Sequence, residues 1–317
     1  MYKTNSPVLI VVFNRPQQTK EVLDVLRDVA PKRLYVAADA PRPDRTTEAE
    51  KCAKTLQIFE NIDWPCEIFY KINNANMGSH TTIPAAIDWF FDNEEMGIVL
   101  EDDCVPNVSF FRYCDELLEK YRYDKRVMWI NGSNVGYPGE IHDSSYYFSI
   151  YAISWGWASW RRAWSVYKEK FGKKKPGTIS VDIIQQYVGK SLMPRLYWRY
   201  IFEYAYAIKN WDYRWQYAMW SSGGLACAPP VNLIRNVGFG VEAFHEGSSR
   251  DPRGNIPTVE INESLKPPKN YVPNTRLDRY LNKNFHRINI YKILKVFIAS
   301  RFPNLRNVVR AIRRKSI

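Results

Sequence analysis

The chain has 317 residues, 45% of them hydrophobic and 15% aromatic, which is enough for one large α/β domain or two small ones with a sizeable core. Its net charge of +12 does not indicate a nucleic-acid groove, because the eleven Lys and Arg from Arg279 onward, with no acid among them, account for nearly all of it. Five cysteines without a CxxC spacing indicate neither a disulfide framework nor a zinc site, and they favour a reducing compartment.

Short apolar runs alternate with helical patterns along the first 130 residues. The predicted strands are Pro7 to Phe13, Arg33 to Asp39, Cys66 to Ile72, Gly97 to Leu100 and Val127 to Ile130. The first predicted helix opens with Asn14, Arg15 and Pro16. Three more predicted helices cover about residues 46–60, 81–91 and 107–121. Successive β-then-α units predict an α/β fold with a mostly parallel, doubly wound central sheet flanked by helices.

Beyond residue 130 the pattern becomes less regular and rich in aromatic residues. We predict a body of residues 1–246, with halves 1–130 and 131–246, followed by a Pro-, Asn- and Gly-rich linker at 247–278. Residues 279–317 form a predicted basic helical tail. Its apolar residues make it similar to an amphipathic membrane-surface segment, and an ordinary solvated tail is the alternative.

The triplet Glu101, Asp102 and Asp103 directly follows the apolar strand that ends at Leu100. Ligands bind at the carboxyl ends of strands in a doubly wound sheet, and three acids there repel one another unless a cation or hydrogen-bond donors compensate them. Hard oxygen ligands select Mn²⁺ or Mg²⁺. A solvated turn is the alternative, but the buried strand before the triplet favours a divalent metal at Asp103 beside Asp102 and Glu101.

Polar residues also end the first two predicted strands. Asp39 is suited to accept hydrogen bonds from a uracil or a ribose, although a turn residue before a Pro-rich loop is nearly as good an interpretation. Asn14 and Arg15 follow the first strand at the same edge, where Arg15 is suited to pair with phosphate. A helix-opening Asn beside an exposed Arg explains the pair equally well.

Two residues of the second half complete the candidate site. Asp212 lies within the aromatic segment Trp211 to Trp215, and such surroundings raise the proton affinity of a carboxylate, as a general base requires. Pairing with Arg214 or helix capping are the alternatives for Asp212. His245 follows a Gly-rich stretch and is a candidate for a metal or phosphate contact, or a simply exposed loop residue.

No P-loop, GxGxxG or HExxH motif is present. The segments "EDDCVPNVSFFRYCDELL", "FNRP", "AAD" and "WGWASWRRAW" resemble those of the GT-A glycosyltransferases, in particular the N-acetylglucosaminyltransferase I group and its bacterial family 2-like or hemolytic-protein-like relatives. This resemblance covers about residues 7–245. It implies a Rossmann-like fold for nucleotide-diphospho-sugars, with residues 1–130 as the nucleotide-sugar half and 131–246 as the acceptor half.

The resemblance also implies a metal-dependent, inverting transfer from a nucleotide-sugar, typically a UDP-sugar, to a glycan or lipid-linked glycan. It assigns the metal to Asp103, the donor sugar and ribose to Glu101 and Asp102, and the base to Asp212. It further assigns the uracil to Asp39 and the nucleotide phosphates to His245, and it matches Arg15, which follows Asn14, to the family's basic residue after the first strand. Here Tyr213 stands where the family often has a second acid, and "NMGSHTTIP" replaces a loop that is commonly basic.

Two other functions remain open at this level. A sugar nucleotidyltransferase uses a related sheet and a metal, but it needs a Gly-rich loop after the first strand, which "VVFNRPQQT" lacks. A non-enzymatic membrane-associated protein that uses the basic tail leaves the acidic triplet unexplained. The sequence opens on a strand and has no apolar run of about 20 residues. We therefore expect a cytoplasmic protein, attached peripherally to an anionic inner-membrane surface through its tail.

Overall fold

The computed structural model describes residues 2–139, 143–171, 179–239 and 251–301, and its first half alternates strands and helices. These elements are β1 (Val8–Val12), α1 (Pro16–Val29), β2 (Arg33–Ala38), α2 (Glu48–Gln57), β3 (Glu67–Ile72), α3 (Ser79–Asn93), β4 (Met96–Glu101), β5 (Cys104–Pro106), α4 (Val108–Lys120) and β6 (Val127–Asn131). β1 and β6 are buried at every residue. Burial on both faces explains why these strands lack polar alternation in the sequence.

The second half begins with two short strands and continues mainly as helices. Its elements are β7 (Tyr147–Ser149), β8 (Trp157–Trp160), α5 (Arg161–Phe171), α6 (Val181–Val188), α7 (Leu192–Ile208), α8 (Trp211–Trp220), β9 (Leu225–Ala228), β10 (Ile234–Asn236), α9 (Thr275–Asn284) and α10 (Ile290–Arg301). Asn210 begins α8, and its side-chain oxygen accepts a hydrogen bond from the Tyr213 amide at 3.2 Å. This N-cap fixes the first turn of α8, which carries Asp212.

Eight strands form one sheet in the order β3-β2-β1-β4-β8-β6-β9-β7. The first four are parallel, and β8 is antiparallel to both of its neighbours. The predicted α/β architecture, a mostly parallel sheet flanked by helices, is confirmed. Because β2 and β3 lie on one side of β1 and β4 on the other, the strand order reverses between β1 and β4. Ligands bind at such a switch point, outside the carboxyl ends of the strands.

A separate two-stranded sheet joins β5 to β10 in antiparallel register, with Asn236 opposite Cys104. The Val237 amide then donates to the Asp103 carbonyl at 2.8 Å. This small sheet therefore brings the chain that follows β10 directly against the acidic triplet.

Tryptophans fill the space between the sheet and α8. Trp129 stacks on Trp157 at 3.8 Å between ring centroids, and Trp164 stacks on Trp215 at 5.3 Å. Trp211 lies 6.2 Å from Trp157. Many of the aromatic residues thus belong to the core and fix α8 relative to β8. Paired aromatic rings stabilise a fold by more than the burial of their apolar surface area alone.

The last described segment packs against the body. Asp278 of α9 accepts from the Ser149 hydroxyl at 2.6 Å, and Phe297 of α10 meets Tyr200 of α7 at 4.9 Å. No helix among the described residues is both long and apolar enough to cross a membrane. The body, linker and tail limits at 246 and 278 stay a prediction, and residues 247–250 and 302–317 fall outside the described ranges.

Candidate functional site

The acidic triplet lies at the switch point. Glu101 ends β4 beside Val11 of β1, and the Asp102 amide donates to the Val11 carbonyl at 3.0 Å. Asp102 and Asp103 then leave the sheet at its carboxyl edge, next to the residues that follow β1. The strand register thus places two polar segments together that the sequence separates by almost ninety residues.

Arg15 provides a positive charge inside this cluster. Its Nη1 donates to Asp102 Oδ1 at 2.9 Å and to Asp103 Oδ2 at 2.5 Å, while the Phe13 amide donates to Asp102 Oδ2 at 3.1 Å. Burial alone would lower the pKa of Arg15, but Asp102 and Asp103 outweigh it and raise that pKa. The sequence analysis assigned Arg15 to a phosphate. In the structure it pairs with the acids, and the phosphate role stays a prediction.

One guanidinium does not balance the acids that surround it. Burial, followed by Asp103, Asp102 and Asp212, raises the pKa of Glu101 well above its usual value. Burial and then Asp103 raise the pKa of Asp102 to about 7, although Arg15 opposes them. In both cases burial and the neighbouring acids disfavour the ionised carboxylate, and a cation beside it would favour that form. The switch point therefore favours an additional cation.

Asp212 belongs to the other half of the chain, but it lies near enough to the triplet for its charge to raise the pKa of Glu101. Its Oδ1 accepts from the Tyr213 amide at 2.8 Å in the first turn of α8. Burial and then Asp212 raise the pKa of Tyr213 to about 12. Asp212 in the first turn of α8 therefore lies within electrostatic range of the triplet, and its role as a base stays a prediction.

Gly238 is a site residue that the sequence analysis did not identify. A Cβ at this position would lie 2.0 Å from Asp103 Oδ2 and 2.7 Å from its Cγ. Asn236 holds the segment by accepting from the Gly238 amide at 2.9 Å. Only glycine leaves Asp103 where it stands, and the Gly-rich stretch after β10 was the one signal for this contact.

Asp39 and Asn14 lie at the same edge but are engaged in local contacts. Asp39 Oδ2 accepts from the Gly78 amide at 2.8 Å, and its Oδ1 accepts from the Asn73 side chain and the Met77 amide, both at 3.0 Å. Asn14 donates to Glu48 of α2 at 2.9 Å. Asp39 therefore fixes the loop before α3, and a ligand at either residue would have to share or replace these bonds.

The described residues fit a divalent metal that uses few protein ligands. Among them, no group of three or more His, Cys, Asp or Glu is arranged to hold an ion. Mg²⁺-type sites commonly take one or two carboxylates and complete their shell with water and substrate phosphates. The oxygens of Asp103 and the excess negative charge around it suit that arrangement. His245, the other candidate near phosphate, lies outside the described residues.

A cavity of about 350 Å³ lies elsewhere, lined by residues that include Pro7, Arg33, Glu94 and Met96. Pro7 precedes β1 and Met96 begins β4, so this cavity lies at the amino ends of the strands. It contains none of the predicted site residues. The position of the candidate site therefore rests on strand topology and charge rather than on cavity size.

No protein-family model matches the chain, and no curated protein does. Solved structures similar to it include HddC from Yersinia pseudotuberculosis, with 10% identity, coverage of 51% of this chain and 78% of that chain, and a TM-score of 0.30. UDP-glucose pyrophosphorylase complexed with UDP-glucose gives 10% identity, 54% and 80% coverage, and a TM-score of 0.30. Apo UDP-glucose pyrophosphorylase is 11% identical, with coverage of 56% of this chain and 82% of that chain and a TM-score of 0.30.

At 10–11% identity and a TM-score of 0.30, these similarities carry no argument for a glycosyltransferase or for a sugar nucleotidyltransferase.

Proposed function

We propose that this chain is a metal-dependent, inverting glycosyltransferase of the GT-A type that takes a sugar from a UDP-sugar and transfers it to a glycan acceptor. The observation that supports this proposal most is the convergence of Glu101, Asp102 and Asp103 with Asp212 at the β1/β4 switch point. A nucleotide-sugar needs a site for its diphosphate and sugar, and the acceptor needs a base on the opposite side of the reacting carbon.

The residues divide into donor and acceptor roles. Asp103 would hold Mn²⁺ or Mg²⁺, which supplies charge neutralisation for the departing diphosphate. Arg15 orients the Asp102 and Asp103 carboxylates through its two hydrogen bonds. Glu101 and Asp102 accept hydrogen bonds from sugar and ribose hydroxyls.

The transfer step requires a base for the acceptor. The acceptor oxygen forms the new bond to the anomeric carbon as the bond from that carbon to the nucleotide diphosphate breaks. Asp212 takes the proton of the acceptor hydroxyl. The tryptophans behind α8 keep its first turn in place, so Asp212 holds its position relative to Glu101.

The alternative is a sugar nucleotidyltransferase, and two of the similar solved structures are named UDP-glucose pyrophosphorylase. Its substrate is a nucleoside triphosphate, which needs many donors after the first strand. Here that turn contains Phe13, Asn14 and Arg15, and the Arg15 guanidinium is already bound to two carboxylates. This occupancy favours the glycosyltransferase.

We also propose that the protein attaches to anionic membranes through α10, in keeping with a lipid-linked acceptor in surface polysaccharide synthesis. Ile293 and Val296 are buried, while Ile290, Leu294 and Ile298 are exposed by 60, 51 and 47% on another face. Apolar residues at this spacing beside basic ones are typical of interfacial helices. Flotation with phosphatidylglycerol vesicles tests the proposal. Equal recovery of wild type and a Leu294→Glu variant would contradict it.

The decisive experiment for the active site measures stabilisation of the protein by UDP-sugars in the presence of Mn²⁺. We expect wild type to melt at a higher temperature with Mn²⁺ and the correct donor together than with either alone. Asp103→Asn should lose this shift. Asp212→Asn should keep it and yet fail to transfer sugar. The same shift in wild type and Asp103→Asn would refute the metal assignment.

A further inference from the structure

Two arginines share a single carboxylate, with a lysine near them, where the segment after residue 250 meets the start of α10. We call Arg253, Arg287 and Lys292, together with Asp251, the basic cluster. Arg253 Nη2 donates to Asp251 Oδ2 and Arg287 Nη2 donates to Asp251 Oδ1, both at 2.8 Å. Lys292 Nζ donates to the carbonyl of His286 and lies 5.4 Å from the centre of the Tyr197 ring.

Within the described residues, the basic cluster holds more positive than negative charge. Burial, followed by Arg253 and Arg287, lowers the pKa of Lys292 to about 8. Hydrogen bonding to Arg253 lowers the pKa of Asp251 to about 2. This carboxylate is therefore ionised, and its single negative charge is shared by the two arginines. Burial and neighbouring cations both disfavour the charged form of Lys292, and a bound anion would stabilise that form.

A buried imidazole beside the basic cluster has no hydrogen-bond partner. His286 is 4% exposed, and neither of its ring nitrogens has a partner among the described residues. Burial, followed by Lys292 and Arg253, lowers its pKa. An unpaired polar group at this depth is unusual, and a neutral imidazole can still donate one hydrogen bond to an anion.

Aromatic rings connect the basic cluster to the acidic site. The Arg253 guanidinium lies 5.5 Å from the centre of the Phe239 ring, and Phe239 follows the Gly238 that touches Asp103. The charge of Arg253 also acts on Tyr213, the neighbour of Asp212. The basic cluster therefore lies near Asp103 and also near the α8 side of the site, where the proposed base lies.

We propose that the basic cluster binds a phosphate or diphosphate group carried by the acceptor, and thereby restricts the enzyme to anionic acceptors. This inference rests on the proposed function, since it takes the α8 side as the acceptor side. Arg287 bonds Asp251 through Nη2, and the rest of its planar donor group suits the oxygens of phosphate. Arg253 holds Asp251 through Nε and Nη2 and the Phe285 carbonyl through Nη1, so it contributes its charge. Lys292 adds a point charge.

The position of Lys292 on α10 suggests where the anion comes from. The same helix exposes Ile290, Leu294 and Ile298 to solvent. A lipid-linked diphosphate would place its charged head in the basic cluster and its apolar chain along this face. A soluble phosphorylated acceptor would use the basic cluster alone.

The test measures binding of inorganic pyrophosphate by calorimetry in the presence of EDTA. Without a divalent ion the acidic triplet repels a diphosphate, so binding reports on the basic cluster. We expect Arg287→Gln combined with Lys292→Gln to weaken binding at least about tenfold, because each lost contact is charge-assisted. The matched control is Arg276→Gln combined with Arg279→Gln on α9, because both side chains are exposed and their loss makes the same charge change.

Arg287→Lys, which keeps the charge, should retain binding within a few-fold and guards against loss through unfolding. Absence of pyrophosphate binding by wild type, or equal binding by the double variant and wild type, would overturn the proposal. Tighter binding of farnesyl diphosphate than of pyrophosphate supports a lipid-linked source, and equal binding supports a soluble one. The assay contains neither metal nor donor, so its failure is separate from failure of the transferase proposal.

Discussion

Gly238→Ala tests directly whether the chain after β10 fixes the position of Asp103. The new Cβ would stand 2.0 Å from Asp103 Oδ2, whereas such contacts are essentially never shorter than 3.0 Å. The carboxylate must therefore move by about 1 Å away from residue 238, which disturbs its contact with the Arg15 nitrogen at 2.5 Å. Overpacking of this kind lowers the free energy of unfolding by about 1–3 kcal/mol.

A double-mutant cycle isolates this contact. In an Asp103→Ala background the two closest atoms are gone, and the remaining contact, 3.1 Å to the Asp103 Cβ, is tight but tolerable. We expect Gly238→Ala to cost little there, so that the two substitutions differ from additivity by about 1–3 kcal/mol.

Urea unfolding of the four proteins measures the cycle, with fluorescence of the buried tryptophans as the signal. The same cost of Gly238→Ala in both backgrounds would refute the contact between Gly238 and Asp103. It would also remove the reason for glycine at this position. A loss of Mn²⁺-dependent donor binding in Gly238→Ala alone would extend the conclusion from stability to function.

Two further predictions concern buried charges. Burial raises the pKa of Asp278 to about 7, so the fold favours its protonated form, and stability falls as pH rises from about 4 to 7. Asp278→Asn should be more stable than wild type at pH 8, by up to roughly 4 kcal/mol, and should match it at pH 4; a difference independent of pH in urea unfolding would contradict this. Arg15→Gln should lower the free energy of unfolding by about 2 kcal/mol, because Asp102 and Asp103 lose their shared donor. Added Mn²⁺ should stabilise this variant more than wild type, and equal stabilisation in thermal melts would count against a metal at the triplet.

The sequence predicted the parallel part of the sheet well, since the buried strands are short apolar runs bounded by turn residues. β1, for example, is an uninterrupted apolar run, and the structure ends it one residue before Phe13. β7 and β10 were not predicted, because three-residue strands carry too little pattern. Both pair with strands that are distant in the sequence, β7 with β9 and β10 with β5.

Long-range pairing explains what the sequence did not show at the site. Nothing local indicates that Arg15 shares its guanidinium between Asp102 and Asp103, or that Gly238 touches Asp103. The sequence analysis predicted a metal ion that compensates the triplet. In the structure, part of the compensating positive charge comes from Arg15, which follows β1. Likewise, an amphipathic tail pattern does not reveal that one face of α10 packs on α7.

The products formed from a UDP-sugar test the central claim most directly. With Mn²⁺ and an acceptor, the proposed transferase releases UDP and forms a glycoside of inverted anomeric configuration. The Asp212→Asn variant should yield neither product. A nucleotidyltransferase instead converts the UDP-sugar and pyrophosphate into UTP and a sugar phosphate, without an acceptor. Release of UDP that depends on the acceptor and on Asp103 is the predicted result. Formation of UTP would contradict the account.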